Sequence, residues 1–173
     1  MIINSYASTA QAIKAPFTFY YANDWNNSHN FQFWNKNFST DSDPGITNKS
    51  TQKTIYDPSV SGFTLPKTAA FTNFSSSGYD TTNGGEFNVS GSFKKGWNFY
   101  VNGWRTGSTI FFHALGYRET GAVVLFGGEG DYWINGASSA SNARCLVFYP
   151  DGVQPQVSYY RSYGFVVRPS LEN

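Results

Sequence analysis

The feature that most constrains this chain is its punctuation. Gly, Asn, Asp and Ser recur along it at intervals of roughly eight to twelve residues. Between them lie short runs rich in Phe, Tyr, Trp, Val and Ile. Such intervals are too short for helices of ordinary length, but they suit strands of five or six residues. The pattern predicts strands at residues 17–21, 86–89, 98–103, 110–114, 123–126, 132–135, 145–149 and 164–168. The run Trp97-Asn-Phe-Tyr-Val-Asn-Gly-Trp104 is heavily aromatic and is expected in a buried or half-buried sheet. Pro150-Asp-Gly152 reads as a turn, and so does Gly127-Gly-Glu-Gly130, which lacks the spacing and the strand–helix setting of a dinucleotide fingerprint.

Helix signals are few. Residues 66–74 form the best candidate, with Pro66 at the first helical position and Phe71 and Phe74 three apart, facing the core. Residues 8–14 form a weaker one, capped by Ser8 or Thr9. The stretches 22–61 and 75–85 read as long polar loops, of the kind that carry function or pack on their own side chains. The expected class is α+β: mostly short antiparallel strands, one or two helices and long irregular loops. With 173 residues and neither a repeat nor a long linker, the chain reads as one domain spanning 1–173.

Composition narrows function. Charged residues make up 13% and aromatics 19%, against about a quarter charged in an ordinary soluble domain. Tyr, Trp, Ser, Gly and Asn are the residues of antibody-like binding surfaces, but a turn-rich β protein is enriched in the same set. Composition alone does not separate the two. A net charge of +1 without a basic block argues against nucleic acid as a partner. No apolar run is long enough to span a membrane, so direct insertion is not expected. The first residues lack the charged start and apolar core of a signal peptide. The single cysteine, Cys145, rules out an internal disulfide and a cysteine-based metal cluster.

Catalytic patterns are poor. His113 sits in the apolar run Ile110-Phe-Phe-His-Ala114 and reads as a packed histidine. His29 lies in an Asn-rich stretch without a spaced carboxylate. No nucleophile elbow is present. Asp41-Ser-Asp-Pro-Gly45 lacks the third acid and distal glutamate of a calcium loop and reads as a solvated turn. Sequons occur at Asn26, Asn37, Asn48, Asn73 and Asn88, and matter only in a glycosylating pathway. No cofactor, no metal and no enzymatic activity are expected.

The C-terminal third carries a more specific pattern: Gly116-Tyr-Arg118, Tyr132-Trp133, Asn142-Ala143 with Leu146 and Phe148, Val153 with Pro155, and Arg161, Gly164, Phe165, Val167, Arg168 and Pro169. Upstream stand Ile55-Tyr-Asp-Pro58, Gly62-Phe63 and Leu65-Pro66, with Ser59 where a cysteine is usual. From Lys53 onward the chain resembles a large bacterial family of C-type-lectin-like, formylglycine-generating-enzyme-type domains, common on gut Bacteroidetes and Fibrobacter. Some proteins of this class are targets of diversity-generating retroelements, in which adenine-directed mutagenesis rewrites scattered codons near the end of the gene. The resemblance implies a C-type-lectin-like fold and a variable-like region over about 130–168.

It also implies a ligand-binding face. Its candidate residues are Tyr132, Trp133, Ile134, Asn135, Arg144, Val147, Tyr149, Asp151, Gln154, Gln156, Val157, Ser158, Tyr159, Tyr160 and Tyr163. Strand alternation puts Leu146 and Phe148 on one face and Val147 and Tyr149 on the other, which is expected to point outward. Residues 156–160 show no buried alternation and are expected to be exposed. The calcium-lectin signature is missing, since Gln154-Pro-Gln156 lacks the acid and Asp24-Trp-Asn26 is reversed. A formylglycine-generating oxidase needs a cysteine pair, which Cys145 alone does not supply.

The expected function is a non-catalytic ligand-binding or adhesion module on a bacterium or phage, at the cell surface or outside the cell. Its partner would be a protein or glycan receptor on a target cell. The second reading is a structural or tip subunit of a surface fimbria, and the oxidase is third.

Overall fold

A computed structural model of the protein describes residues 1–3, 9–15, 17–21, 32–38, 51–139 and 141–172. Ser8, His29, the Asp41–Gly45 turn, the Asp24–Asn26 signature, the sequons at Asn26 and Asn48, and much of the 22–61 loop lie outside these residues. In chain order the elements are β1 (Ile2–Ile3), α1 (Thr9–Lys14), β2 (Phe19–Tyr20), β3 (Phe63–Thr64), β4 (Val89–Ser90), β5 (Gly96–Tyr100), β6 (Thr109–His113), β7 (Tyr117–Glu119), β8 (Ala122–Val124), β9 (Gly130–Ala137), β10 (Asn142–Tyr149), β11 (Gly152–Tyr160) and β12 (Ser170–Leu171). Single 3₁₀ turns cover Thr72–Phe74 and Gly84–Glu86. The described strands form five small sheets, ordered β1-β2, β11-β10-β9, β12-β3, β4-β5-β6 and β7-β8.

Strand accounts for 41% of the structure and helix for 8%, and α1 has six residues. The expected α+β class, and the C-type-lectin-like architecture with it, is overturned: this is a small sheet-rich fold. The helix expected over 66–74 is the main error. Thr68, Thr72 and Asn73 are weak helix formers, and the Thr72 hydroxyl donates to the Ala69 carbonyl at 2.9 Å, competing with the backbone. The segment closes as turns and a 3₁₀ turn. That turn keeps residues three apart on one side, so Phe71 and Phe74 still reach the core.

The largest sheet organises the molecule. β10 is its central strand, paired antiparallel to β9 and β11. A central strand with both faces covered does not alternate between core and water, and here both faces are covered. On one face Tyr132, Ile134, Leu146, Phe148 and Val153 pack against Phe71, Phe74, Phe87, Trp97, Phe99, Phe112 and Ala114. Within that cluster Phe74 and Phe99 stack at 3.9 Å, and Phe112 meets both edge-on. On the other face Trp133, Ala143, Cys145 and Val147 pack against Leu65 and Phe165. Partly buried Trp34, Tyr117, Tyr149, Val157, Tyr159, Tyr163 and Val167 surround that second cluster.

Two register shifts bend this sheet. One lies between Ala143 and Cys145 against β9, the other between Cys145 and Val147 against β11. Pro155 sits at the second, on the edge strand. A residue without an N–H is tolerated there because no ladder bond is lost. This proline hides β11 from a reading by propensity, although β11 has nine residues. The predicted strand at 164–168 is instead an irregular segment, docked by single bridges of Gly164 to Arg118 and Val166 to Tyr132.

Polar anchors hold the connecting segments. Asp57 is buried and its two oxygens accept from the amides of Ser59 (2.8 Å) and Leu65 (3.0 Å). The Lys53 ammonium donates to the carbonyls of Ser59, Val60 and Phe63. Asn88 is fully buried; its amide donates to the carbonyls of Asn73, Tyr100 and Gly103, and its Oδ1 accepts from the Arg105 amide at 2.7 Å. In the folded protein this sequon is therefore an internal brace. His113 corrects another expectation. It is exposed on β6, with its ring edge-on to Phe111 at 4.7 Å. Trp97 and Phe99 are buried as expected, but Trp104 lies beyond β5 and is 40% exposed.

Candidate functional site

The structure divides the candidate residues into three groups. The first belongs to the core. Tyr132, Trp133, Ile134, Asn135 and Val147 are all at most 5% exposed, and their expected place on a surface is corrected. Tyr132 donates its hydroxyl to the His113 carbonyl at 2.9 Å. Trp133 stacks on Phe165 at 4.4 Å and meets Trp34 at 5.4 Å. Asn135 is buried and donates its amide to the Thr51 hydroxyl at 2.7 Å. Val147 faces away from Leu146 and Phe148, as alternation requires, but that second face is itself roofed by Leu65 and Phe165.

The second group is polar and lies along β10 and β11. Arg144 faces Ser158 across the ladder and donates to the Gln156 carbonyl at 3.0 Å. Gln156 donates to the Thr68 carbonyl at 2.9 Å, tying the edge strand to the 66–74 segment. Ser158 bonds to the Ser138 hydroxyl and receives the Asn142 amide at 3.3 Å. Gln154 is half-buried, and Asp151 is exposed at the tip of the β10–β11 turn.

The third group is a cluster of tyrosines. Tyr159 lies 6.0 Å from Tyr163, Tyr160 lies 5.9 Å from Tyr163, and Tyr163 stacks on Tyr117 at 5.3 Å. Tyr159, Tyr163 and Tyr149 are half-buried, Tyr160 is 36% exposed, and Val157 packs beneath the rim. The expectation that 156–160 lies wholly exposed is thus corrected: paired β11 buries one side of these rings and leaves the other open. Tyr149 is placed by its partner across the turn. Gly152 opposes it, and a Cβ there would stand 2.2 Å from the Tyr149 ring, so only glycine lets the ring lie over the turn. Tyr163 is placed by a hydrogen bond from its hydroxyl to Glu119 Oε1 at 2.8 Å.

Sequence reasoning missed Tyr117 and Glu119 of β7, Asp131 of β9 and Glu129 just before it as parts of this site. Burial pushes the Tyr117 hydroxyl up to about 12, helped by the charges of Glu119, Glu129, Asp131 and Tyr159. Burial, then the bond to Glu119, raises Tyr163. Burial, then Asp151, Glu129 and Asp80, raises Tyr149. These hydroxyls stay protonated at neutral pH. They offer a ligand aromatic faces together with neutral donors and acceptors, the pairing that makes Tyr effective at interfaces.

Nothing in this cluster is an activated nucleophile. Cys145 is fully buried and burial drives its thiol well above the ordinary value, which keeps it protonated and unreactive. Among the described residues, no group of three His, Cys, Asp or Glu side chains is placed to hold a metal ion. A recess of about 410 Å³ lies beside Pro150, lined by Phe87, Val89, Trp97, Tyr100 and Arg105. The Arg105 guanidinium there already donates to the carbonyls of Phe87, Gly84 and Gly85. Compared with protein-family models, curated proteins and solved structures, the chain matches none.

Proposed function

We propose that this protein is a non-catalytic ligand-binding module whose contact surface is the rim of Tyr149, Tyr159, Tyr160 and Tyr163, flanked by Asp151 and Gln154. The observation that carries this reading is the half-buried state of Tyr149, Tyr159 and Tyr163, which pack on one side against the second cluster and are open on the other, so their orientation is set before a ligand arrives. Exposed Tyr160 stands beside them, its ring edge-on to Tyr163. Pre-set aromatic rings contribute contact area at little entropic cost. The proposed partner is a protein or glycan receptor on a target cell. Retroelement-driven diversification of the exposed rim positions fits this reading, because change at Tyr160 or Asp151 leaves both hydrophobic clusters intact.

The test is a comparison of wild type with Tyr160→Ser and Tyr163→Phe on a glycan array and against a displayed library of cell-surface proteins. Wild type is expected to select a defined target, Tyr160→Ser to lose it, and Tyr163→Phe to weaken it. Selection of the same target by Tyr160→Ser with unchanged strength would sink the proposal. Diversification is checked separately, by sequencing downstream DNA for a near-copy of the last coding segment that differs mainly at adenines.

A further inference from the structure

The second cluster contains a group with no place in an apolar core. Asp131 is 0% exposed, and no donor reaches either of its carboxylate oxygens. Buried Asp57, by contrast, is fully satisfied by two amides. An ionised, unpaired carboxylate in such surroundings is strongly disfavoured, and a buried acid avoids that penalty by holding its proton. Glu129 stands two residues earlier, on the same side of an extended chain. Its carboxyl lies within hydrogen-bonding reach of Asp131, and two carboxyls bond each other only when one is protonated.

The neighbours supply no counter-charge. The groups on this face are Tyr117 and Glu119 from β7, Cys145 from β10, Tyr159 from β11 and Tyr163 from the 161–168 segment. The arginines of adjoining elements make other contacts: Arg118 over the Phe19 ring, Arg161 over the Phe33 ring, and Arg168 over Phe112 with a bond to the Phe111 carbonyl. Arg144 donates to the Gln156 carbonyl.

Asp131 also carries the segment that presents Tyr163. Its carbonyl accepts from the Val166 amide at 2.9 Å, Val166 in turn accepts from the Trp133 amide at 3.0 Å, and Phe165 stacks on Trp133. We propose that Glu129 and Asp131 share one proton and together latch residues 161–168 onto β9. With the proton bound, Phe165 and Tyr163 are seated. When it leaves to solvent, a second negative charge is stranded beside the first next to Trp133, and the segment lifts away. Burial, and then the charge of Glu129, holds Asp131 far above the carboxylate range, at about 8, which places the release in mildly alkaline solution. The latch concerns the seating of residues 161–168 and stands whether or not the rim binds a receptor.

The test uses the full chain, with melting temperature and tryptophan emission followed from about pH 5 to pH 9. Because the folded state keeps a proton that the unfolded chain releases near pH 4, stability falls as pH rises toward 8 and levels off above it. Wild type is expected to lose roughly 5–10 °C across this range and to show a red shift of its emission centred near pH 8. Asp131→Asn, an uncharged mimic of the protonated acid, is expected to abolish both changes, and Glu129→Gln to reduce them. An Asp131→Asn profile that tracks wild type overturns the latch. So does a wild-type slope that disappears in millimolar calcium, which would mean the pair holds a cation. Failure of both variants to fold also overturns it, since each preserves the protonated state.

Discussion

The two faces of the central sheet are built from the same three strands and solve different problems. The face bearing Tyr132, Ile134, Leu146, Phe148 and Val153 meets a layer of interlocked phenylalanines and Trp97. Its polar atoms are few and satisfied; Trp97, for example, donates to the Tyr149 carbonyl at 3.1 Å. The face bearing Trp133, Cys145 and Val147 is roofed by a thinner cover that grades into tyrosines and includes a buried acid without a donor. The difference teaches where each role resides. The first face contributes cohesion, while the second tolerates polar and half-exposed groups because they are being presented.

The largest expected effect breaks the first face. Phe99 is fully buried and touches Phe74, Phe112 and Phe148. Phe99→Ala should cost about 3–5 kcal/mol by chemical denaturation. Next is Asn88→Ala, which strands three carbonyls and one amide inside the fold and should cost roughly 2–3 kcal/mol. On the second face, Tyr163→Phe removes only the bond to Glu119 and should cost about 1 kcal/mol. Cys145 should resist a thiol reagent in the native state at pH 6.5, where residues 161–168 are seated, and react far faster in denaturant at the same pH, because burial keeps it covered and protonated. Rapid native labelling would show that the second face is open to its floor. Smallest is Tyr160→Ser, expected within about 0.5 kcal/mol of wild type.

Much of this was legible in the sequence, for local reasons. Turn residues at short intervals marked strands, and β6, β9 and β10 cover the runs predicted at 110–114, 132–135 and 145–149 apart from Ala114, while β5 begins two residues before the run predicted at 98–103 and ends three short of it. Pro150-Asp-Gly152 makes the β10–β11 turn, and the Phe71–Phe74 spacing found the core even though the helix did not form. What was hidden is non-local. Val147 looked outward because periodicity reports two faces of a strand, not that a distant Leu65 and Phe165 cover the second, and the same cover buries Trp133, which the resemblance had put on the binding face. Pro155 masked β11, since its acceptability depends on an edge and a register shift that only pairing creates. Glu119 and Asp131 enter the site from β7 and β9 through sheet geometry, and no spacing in the chain announces it.

The account rests on the claim that the tyrosine rim is presented by the core and is not part of it. Stability and receptor capture measured side by side on Tyr160→Ser test that claim most directly. The account predicts an unchanged melting temperature with capture lost. A large drop in melting temperature, or full capture by the variant, would contradict it.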